Sequence, residues 1–220
     1  MTFRVRVGDG EVSAVHEPAP NSIATFVCAH GAGGNMNDRA ILAVSKELRG
    51  RGIDMVRFNF PYTEKGSGRP DPMPVLQSCI KAVVAQVSPR RLIIGGRSMG
   101  GRAASMLAAE GFAADGLLLL AYPLHPAGKP EQLRDAHLPR ITMPVLCFNG
   151  TRDPLCRRDL MEAVAVGNNF EMHWLEAADH SFHVPKSSGR TDADVLAEVG
   201  ETTAVWMART EPSVARSTGP

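Results

Sequence analysis

The sequence predicts an α/β fold, with a mainly parallel twisted sheet and helices on both of its faces. Short apolar runs alternate with segments of helical spacing along the 220 residues, as in chains that join parallel strands through helices. The central runs are continuously apolar, which is typical of strands covered on both faces. Hydrophobic residues make up 44% of the chain and charged residues 21%, so there is enough apolar material for a core.

The strands follow from these runs. A hairpin opens the chain, with strands over Arg4–Val7 and Glu11–His16. Six further runs predict strands over Ile23–Ala29, Asp54–Phe60, Leu92–Gly95, Leu117–Tyr122, Val145–Asn149 and Phe170–Leu175. The last run alternates apolar and polar residues, so we expect it near an edge of the sheet.

The helices are predicted from apolar spacing and from capping residues. Apolar residues recur at helical spacing over Val75–Val87 and form one stripe for burial. Thr191 and Asp194 form a capping pair that starts a C-terminal helix.

The interval between the predicted strands at 117–122 and 145–149 is short. It holds a loop and one short helix around Pro130–Ala136, so no cap domain fits. We find no internal repeat and no linker, and we expect a single domain over residues 1–210 with a flexible tail over 211–220.

Charge and targeting patterns exclude several classes of protein. The 24 basic and 23 acidic residues form no run of like charge, whereas nucleic-acid binding needs clustered Lys and Arg. The N-terminal residues carry charge where a signal peptide is apolar, and the longest apolar run, Gly116–Leu124, is too short to span a membrane. The scattered cysteines indicate free buried thiols. We therefore expect a cytoplasmic monomer or homodimer with neither nucleic-acid nor membrane partners.

The strongest functional signal is the G-x-S-x-G motif Gly96-Arg97-Ser98-Met99-Gly100, which lies between a predicted strand and a helix-forming stretch. A strand that turns at once into a helix strains the turning residue, and glycines on each side avoid collisions across the tight turn. Such a turn exposes the serine hydroxyl at a helix N-terminus, where developing negative charge is favoured. Ser98 is therefore the candidate nucleophile. A phosphate loop is disfavoured because no G-K-[ST] follows.

A serine nucleophile needs a base and an acid, and both follow in the expected chain order. Asp153 comes just after the strand at 145–149, and His180 comes just after the strand at 170–175. The carboxyl ends of parallel strands meet at one edge of a sheet, so these two residues and Ser98 should converge. The oxyanion hole should combine the N–H groups of Met99 and of Ala32, which lies in a glycine-rich loop.

His183 is the alternative base. We favour His180 because it follows Asp179 at the tip of the loop, whereas His183 leads into Val184-Pro185. His180 and His183 do not form an H-E-x-x-H motif, and no cysteine cluster lies near them in the sequence. We therefore predict no metal site.

Further side chains are candidates for substrate contact. His125 follows the strand at 117–122, at the same end of the sheet as Ser98, and is either a substrate contact or a plain loop residue. Arg97 and Arg102 flank the G-x-S-x-G motif and either attract an acidic substrate or form structural ion pairs with a neighbouring loop.

Taken together, these motifs resemble the α/β-hydrolases over essentially the whole chain, and more narrowly a small lidless group of predicted hydrolases related to the dienelactone hydrolases. The segments that carry the resemblance are His30–Gly34, Gly95–Arg102, Tyr122–Glu131, Gly150–Pro154 and Asp179–Phe182. The resemblance implies the same triad of Ser98, Asp153 and His180. It does not imply dienelactone activity, because the nucleophile of that family is cysteine.

We expect a serine hydrolase that cleaves small carboxylic esters or thioesters through an acyl-enzyme, without a cofactor. The missing lid predicts an open, shallow pocket, which suits small acyl groups. One alternative is an amidase or peptidase. Another is a catalytically idle interaction subunit, since some relatives serve in chromatin-regulating assemblies, but the complete triad favours catalysis.

Overall fold

The computed structural model describes residues 1–164, 167 and 169–210, so the expected tail over 211–220 lies outside the described residues. Within the described part, the strands are β1 (Thr2–Val7), β2 (Gly10–Glu17), β3 (Ala24–Ala29), β4 (Ile53–Phe58), β5 (Leu92–Arg97), β6 (Gly116–Leu120), β7 (Val145–Gly150) and β8 (Phe170–Leu175). The α-helices are α1 (Arg39–Arg49), α2 (Pro61–Glu64), α3 (Met73–Val87), α4 (Met99–Ala109), α5 (Arg158–Glu162) and α6 (Asp192–Arg209).

All eight strands form one sheet in the order β1-β2-β4-β3-β5-β6-β7-β8. β2 pairs antiparallel with β1 and β4, and the remaining pairs are parallel. The N-terminal hairpin and the edge position of β8 confirm the sequence predictions. The carboxyl ends of the parallel strands β5, β7 and β8 therefore meet at one edge of the sheet.

The central strands bury side chains on both faces. In β6, Leu117 and Leu119 pack in a core shared with α3 and α4, whereas Leu118 and Leu120 pack in the core shared with α1 and α6. This alternation confirms the mainly parallel sheet with helices on both faces. The capping pair at the start of α6 is also confirmed, because the Thr191 hydroxyl accepts a hydrogen bond from the Asp194 N–H.

Several sequence predictions were wrong in detail. β5 continues to Arg97 rather than ending at Gly95, and β6 ends at Leu120 rather than Tyr122, because Ala121 adopts a left-handed backbone conformation with φ +53°. β4 ends at Phe58 rather than Phe60, because Phe60 caps the N-terminus of α2 and Pro61 occupies its first turn. No helix forms over Pro130–Ala136. The Arg134 N–H donates to the Leu124 carbonyl, and the Arg134 carbonyl accepts a hydrogen bond from the Tyr122 hydroxyl, so tertiary partners take the groups that a helix would use.

Only a 3₁₀ turn over Leu138–Arg140 lies between β6 and β7, so this fully described interval holds no cap domain, as predicted. Among the helices of the described residues, none combines the length and apolar character that crossing a membrane requires. All four cysteines are free and buried, and burial raises the pKa of the Cys28 and Cys79 thiols to about 12.

Candidate active site

Ser98 occupies the turn between β5 and α4. Its backbone has φ +52° and ψ −117°, a conformation that non-glycine residues rarely adopt. A Cβ at Gly96 would lie 2.2 Å from the Ala29 carbonyl oxygen, and a Cβ at Gly100 would lie 2.5 Å from the same atom. The flanking glycines are therefore required by the close approach of the turn to the end of β3, rather than by collisions within the turn itself.

The structure brings Ser98, His180 and Asp153 into one hydrogen-bonded chain. The Ser98 Oγ lies 3.0 Å from the His180 Nε2, and the His180 Nδ1 lies 2.8 Å from the Asp153 Oδ2. When the Nδ1–H donates to the carboxylate, the Nε2 is free to accept the serine proton. The Asp153 side chain is fully buried, while 19% of the His180 side chain is exposed. This arrangement can activate the serine hydroxyl for nucleophilic attack.

Two further hydrogen bonds hold the Asp153 carboxylate. Its Oδ2 accepts from the Asn149 Nδ2 at 3.0 Å, and its Oδ1 accepts from the Leu155 N–H at 2.8 Å. The buried Asn149 amide also bonds both backbone groups of Tyr122. Asn149 was not predicted from the sequence, although a polar residue at the carboxyl end of an apolar strand is a signal that could have indicated it.

We expect Asn149→Ala to lower kcat for a small ester by about 10- to 100-fold with little change in KM, because Asp153 and hence the imidazole lose their alignment. Asn169→Ala is the matched control, since the Asn169 Nδ2 also bonds two backbone carbonyls, those of Ile141 and Met143. Each variant should lose some thermal stability, but only Asn149→Ala should lose kcat at a temperature where both are folded. Equal kcat values in the two variants would contradict a positioning role.

His183 and Asp179 lie near the same loop but serve other contacts. The His183 ring is exposed and bonds the Asp192 carboxylate at 2.9 Å, and this hydrogen bond raises the pKa of His183 above its ordinary value. The Asp179 Oδ1 accepts hydrogen bonds from the Ser181 and His183 N–H groups and so shapes the loop. Of the two histidines, it is His180 that contacts the serine.

A cleft of about 390 Å³ opens beside Ser98. The two candidate oxyanion donors, Met99 and Ala32, both line it. Met99 is the first residue of α4, so its N–H has no acceptor within the helix. The other lining residues are Met73, Arg102, Pro123, Pro126, Ala127, Arg134 and Leu155.

His125 and Arg97, which the sequence offered as candidates for substrate contact, do not line this cleft. His125 is 2% exposed, and its ring bonds the Pro126 carbonyl and the Arg157 N–H. It thereby braces the loop that follows Asp153 instead of facing a substrate. The Arg97 guanidinium donates to the His180 carbonyl, so it supports the histidine loop through a neutral acceptor rather than through the structural ion pair considered from sequence.

Residues 22–208 match the family model described as alpha/beta hydrolase domain. The chain belongs to the alpha/beta hydrolase family. This membership confirms the resemblance drawn from the motifs, and it agrees with the strand order and with the turn at Ser98.

Solved structures of other alpha/beta hydrolases share the fold. The serine hydrolase homologue from Coxiella burnetii has a TM-score of 0.74 at 21% identity, over 93% of this chain and 96% of that one. XC6422 from Xanthomonas campestris, a serine hydrolase without a lid, has a TM-score of 0.73 at 21% identity, over 96% of each chain. A dienelactone hydrolase from Anabaena variabilis has a TM-score of 0.73 at 18% identity, over 96% of this chain and 97% of that one. At these identities the likeness shows the fold.

The uncharacterized protein YfhR of Escherichia coli O157:H7 is a relative by sequence. It is 36% identical over 99 residues, which is 43% of this chain and 34% of YfhR. The match thus spans about a third of the length of that relative.

Proposed function

We propose that this alpha/beta hydrolase is a carboxylesterase-type serine hydrolase that cleaves small carboxylic esters or thioesters through an acyl-enzyme. The observation that carries the proposal is the hydrogen-bonded chain from the Ser98 Oγ through His180 to the buried Asp153, beside an open cleft. Ser98, His180 and Asp153 are proposed as nucleophile, general base and orienting acid.

In the first half of the reaction, the Ser98 Oγ attacks the ester carbonyl while its proton passes to the His180 Nε2. The carbonyl oxygen becomes an oxyanion, for which the N–H groups of Met99 and Ala32 are the proposed donors. His180 then gives its proton to the leaving alkoxide or thiolate, and the C–O or C–S bond breaks. The acyl group remains on Ser98.

In the second half, His180 takes a proton from a water molecule as the water oxygen attacks the acyl-enzyme. The proton then returns to the Ser98 Oγ as the acid is released. The buried Asp153 carboxylate stabilises the imidazolium that forms in both halves and holds its Nδ1–H in place. Because the Asp153 side chain is fully buried, water screens the charge pair only weakly on that side.

The proposal is tested by labelling the protein with a fluorophosphonate probe, in which the serine oxygen displaces fluoride from phosphorus. We expect a covalent adduct on Ser98, located by peptide mass spectrometry, together with hydrolysis of 4-nitrophenyl acetate. An unlabelled and inactive protein would contradict the proposal and favour the interaction-subunit hypothesis. Turnover of anilides at rates equal to esters would favour the amidase hypothesis.

The open cleft also predicts selectivity for chain length. Each CH₂ that is buried contributes about 0.8 kcal/mol, so a deep pocket would raise kcat/KM severalfold per methylene. In a cleft of about 390 Å³ without a cap, further methylenes stay in water. We expect kcat/KM for 4-nitrophenyl esters to be greatest between acetate and butyrate, and to be flat or falling beyond. A continued rise toward decanoate, or a jump above the solubility limit of the ester, would contradict this prediction.

A further inference from the structure

Two arginines line the cleft beside Ser98. Arg102 projects from the first turns of α4, and Arg134 lies in the loop between β6 and β7. Apart from Ser98, the other lining residues are alanine, methionine, proline and leucine, and no Asp or Glu lines the cleft in the part of the chain that the structure describes. The cleft therefore combines apolar walls with two positive charges.

Neither arginine has a neutralising partner among the described residues. The ion pairs found there involve other arginines, such as Arg57 with Glu17, and none includes Arg102 or Arg134. The Arg134 Nη1 donates only to a neutral carbonyl, that of Pro123, and the buried Nε of Arg102 has no acceptor. Partly buried charges without a counter-ion are costly, so the pair favours an incoming anion.

Burial and the positive charge of Arg102 both lower the pKa of Arg134 below its ordinary value. Both arginines line the cleft, so their positive charges repel each other there. An anion placed between them would relieve this repulsion.

A buried polar cluster holds the backbone of both arginines. The Ser105 hydroxyl donates to the Arg102 carbonyl at 2.8 Å, and the Tyr122 hydroxyl donates to the Arg134 carbonyl at 2.6 Å. The His137 Nε2 lies 2.7 Å from the Ser105 Oγ and 3.5 Å from the Tyr122 hydroxyl oxygen, so it connects the two hydroxyls. Burial, followed by the charge of Arg102, lowers the pKa of His137 to about 4, so its ring is neutral at pH 7. Hydrogen bonds from the two hydroxyls therefore hold the backbone from which each arginine side chain extends.

We propose that Arg102 and Arg134 bind a carboxylate of the substrate, so that the preferred substrate is a small ester carrying a free carboxylate near the scissile bond. This inference rests on the proposed esterase function and assigns its substrate class. The planar guanidinium groups match a carboxylate through charge-assisted, bidentate hydrogen bonds.

The experiment compares matched pairs of esters that differ only in charge. The first pair has the carboxylate in the acyl part: mono-4-nitrophenyl adipate against its methyl-capped diester. The second has it in the leaving group: 3-acetoxybenzoate against methyl 3-acetoxybenzoate. Uncatalysed hydrolysis is subtracted, and the readout is the ratio of kcat/KM for the charged ester to that for the capped ester. We expect a ratio of about 10 or more in one pair, and that pair identifies which half of the substrate bears the carboxylate.

Arg102→Gln and Arg134→Gln should each lower that ratio about 10-fold, while the Lys variants should keep part of it. Arg6→Gln is the matched control, because Arg6 is exposed on the edge strand β1 and does not line the cleft. Added salt should lower the ratio in the unmodified protein, which keeps the test valid if an arginine variant fails to fold.

Ratios near 1 in both pairs, or ratios unchanged in both Gln variants, would overturn the inference. Failure of the esterase proposal would give a different result from failure of this inference. In that case the capped esters would not be hydrolysed either, and the fluorophosphonate would not label Ser98.

Discussion

Ser98→Ala is expected to abolish ester hydrolysis, with a loss in kcat on the order of 10⁴-fold or more. The variant lacks the oxygen that forms the acyl-enzyme, and no other serine contacts the His180 Nε2 in the hydrogen bonds of the described residues. Alanine retains a Cβ in the same strained backbone conformation, so the melting temperature should stay close to that of the unmodified protein. Hydrolysis of 4-nitrophenyl acetate and fluorophosphonate labelling measure the effect.

Ser181→Ala is the control for this prediction. Ser181 follows His180 directly, but its hydroxyl contacts the Arg97 guanidinium and not the imidazole. Its activity should remain near that of the unmodified protein. If Ser98→Ala keeps activity within tenfold of the unmodified protein, the nucleophile is another residue.

His180→Ala is expected to lose as much kcat as Ser98→Ala, because the serine proton then has no acceptor. The double variant should be hardly worse than either single variant, since triad members act as a unit. Kinetics of the three proteins on one ester, with initial rates corrected for uncatalysed hydrolysis, provide the comparison.

His183→Ala is the matched histidine control. It removes an exposed ring that bonds Asp192 and makes no contact with Ser98 in the described structure, so its kcat should change little. A deeper loss in His183→Ala than in His180→Ala would reverse the assignment of the base.

Local patterns predicted most of the fold. Continuous apolar runs such as Leu117–Leu120 require burial on both faces. The helical spacing between these runs indicates that helices connect the strands. The mainly parallel sheet could therefore be predicted from residues that are adjacent in the chain. Local patterns failed at Pro130–Ala136. There the Tyr122 hydroxyl donates to the Arg134 carbonyl, and the Leu124 carbonyl accepts from the Arg134 N–H. The residues of the segment do not indicate that these groups outside it will be its hydrogen-bond partners.

The candidate site also has features that adjacent residues predict and features that they do not. By itself, the sequence determined the turn that presents Ser98 and the positions of Asp153 and His180 after their strands, because turn chemistry and strand direction are properties of adjacent residues. The role of Asn149 in holding the Asp153 carboxylate could be seen only in three dimensions, as could the cleft that Arg102 and Arg134 share with no counter-ion among the described residues. These relations join residues from different strands, helices and loops. Hydrogen bonds and charges act over a few ångströms in space, and chain order does not encode which distant side chains packing brings that close.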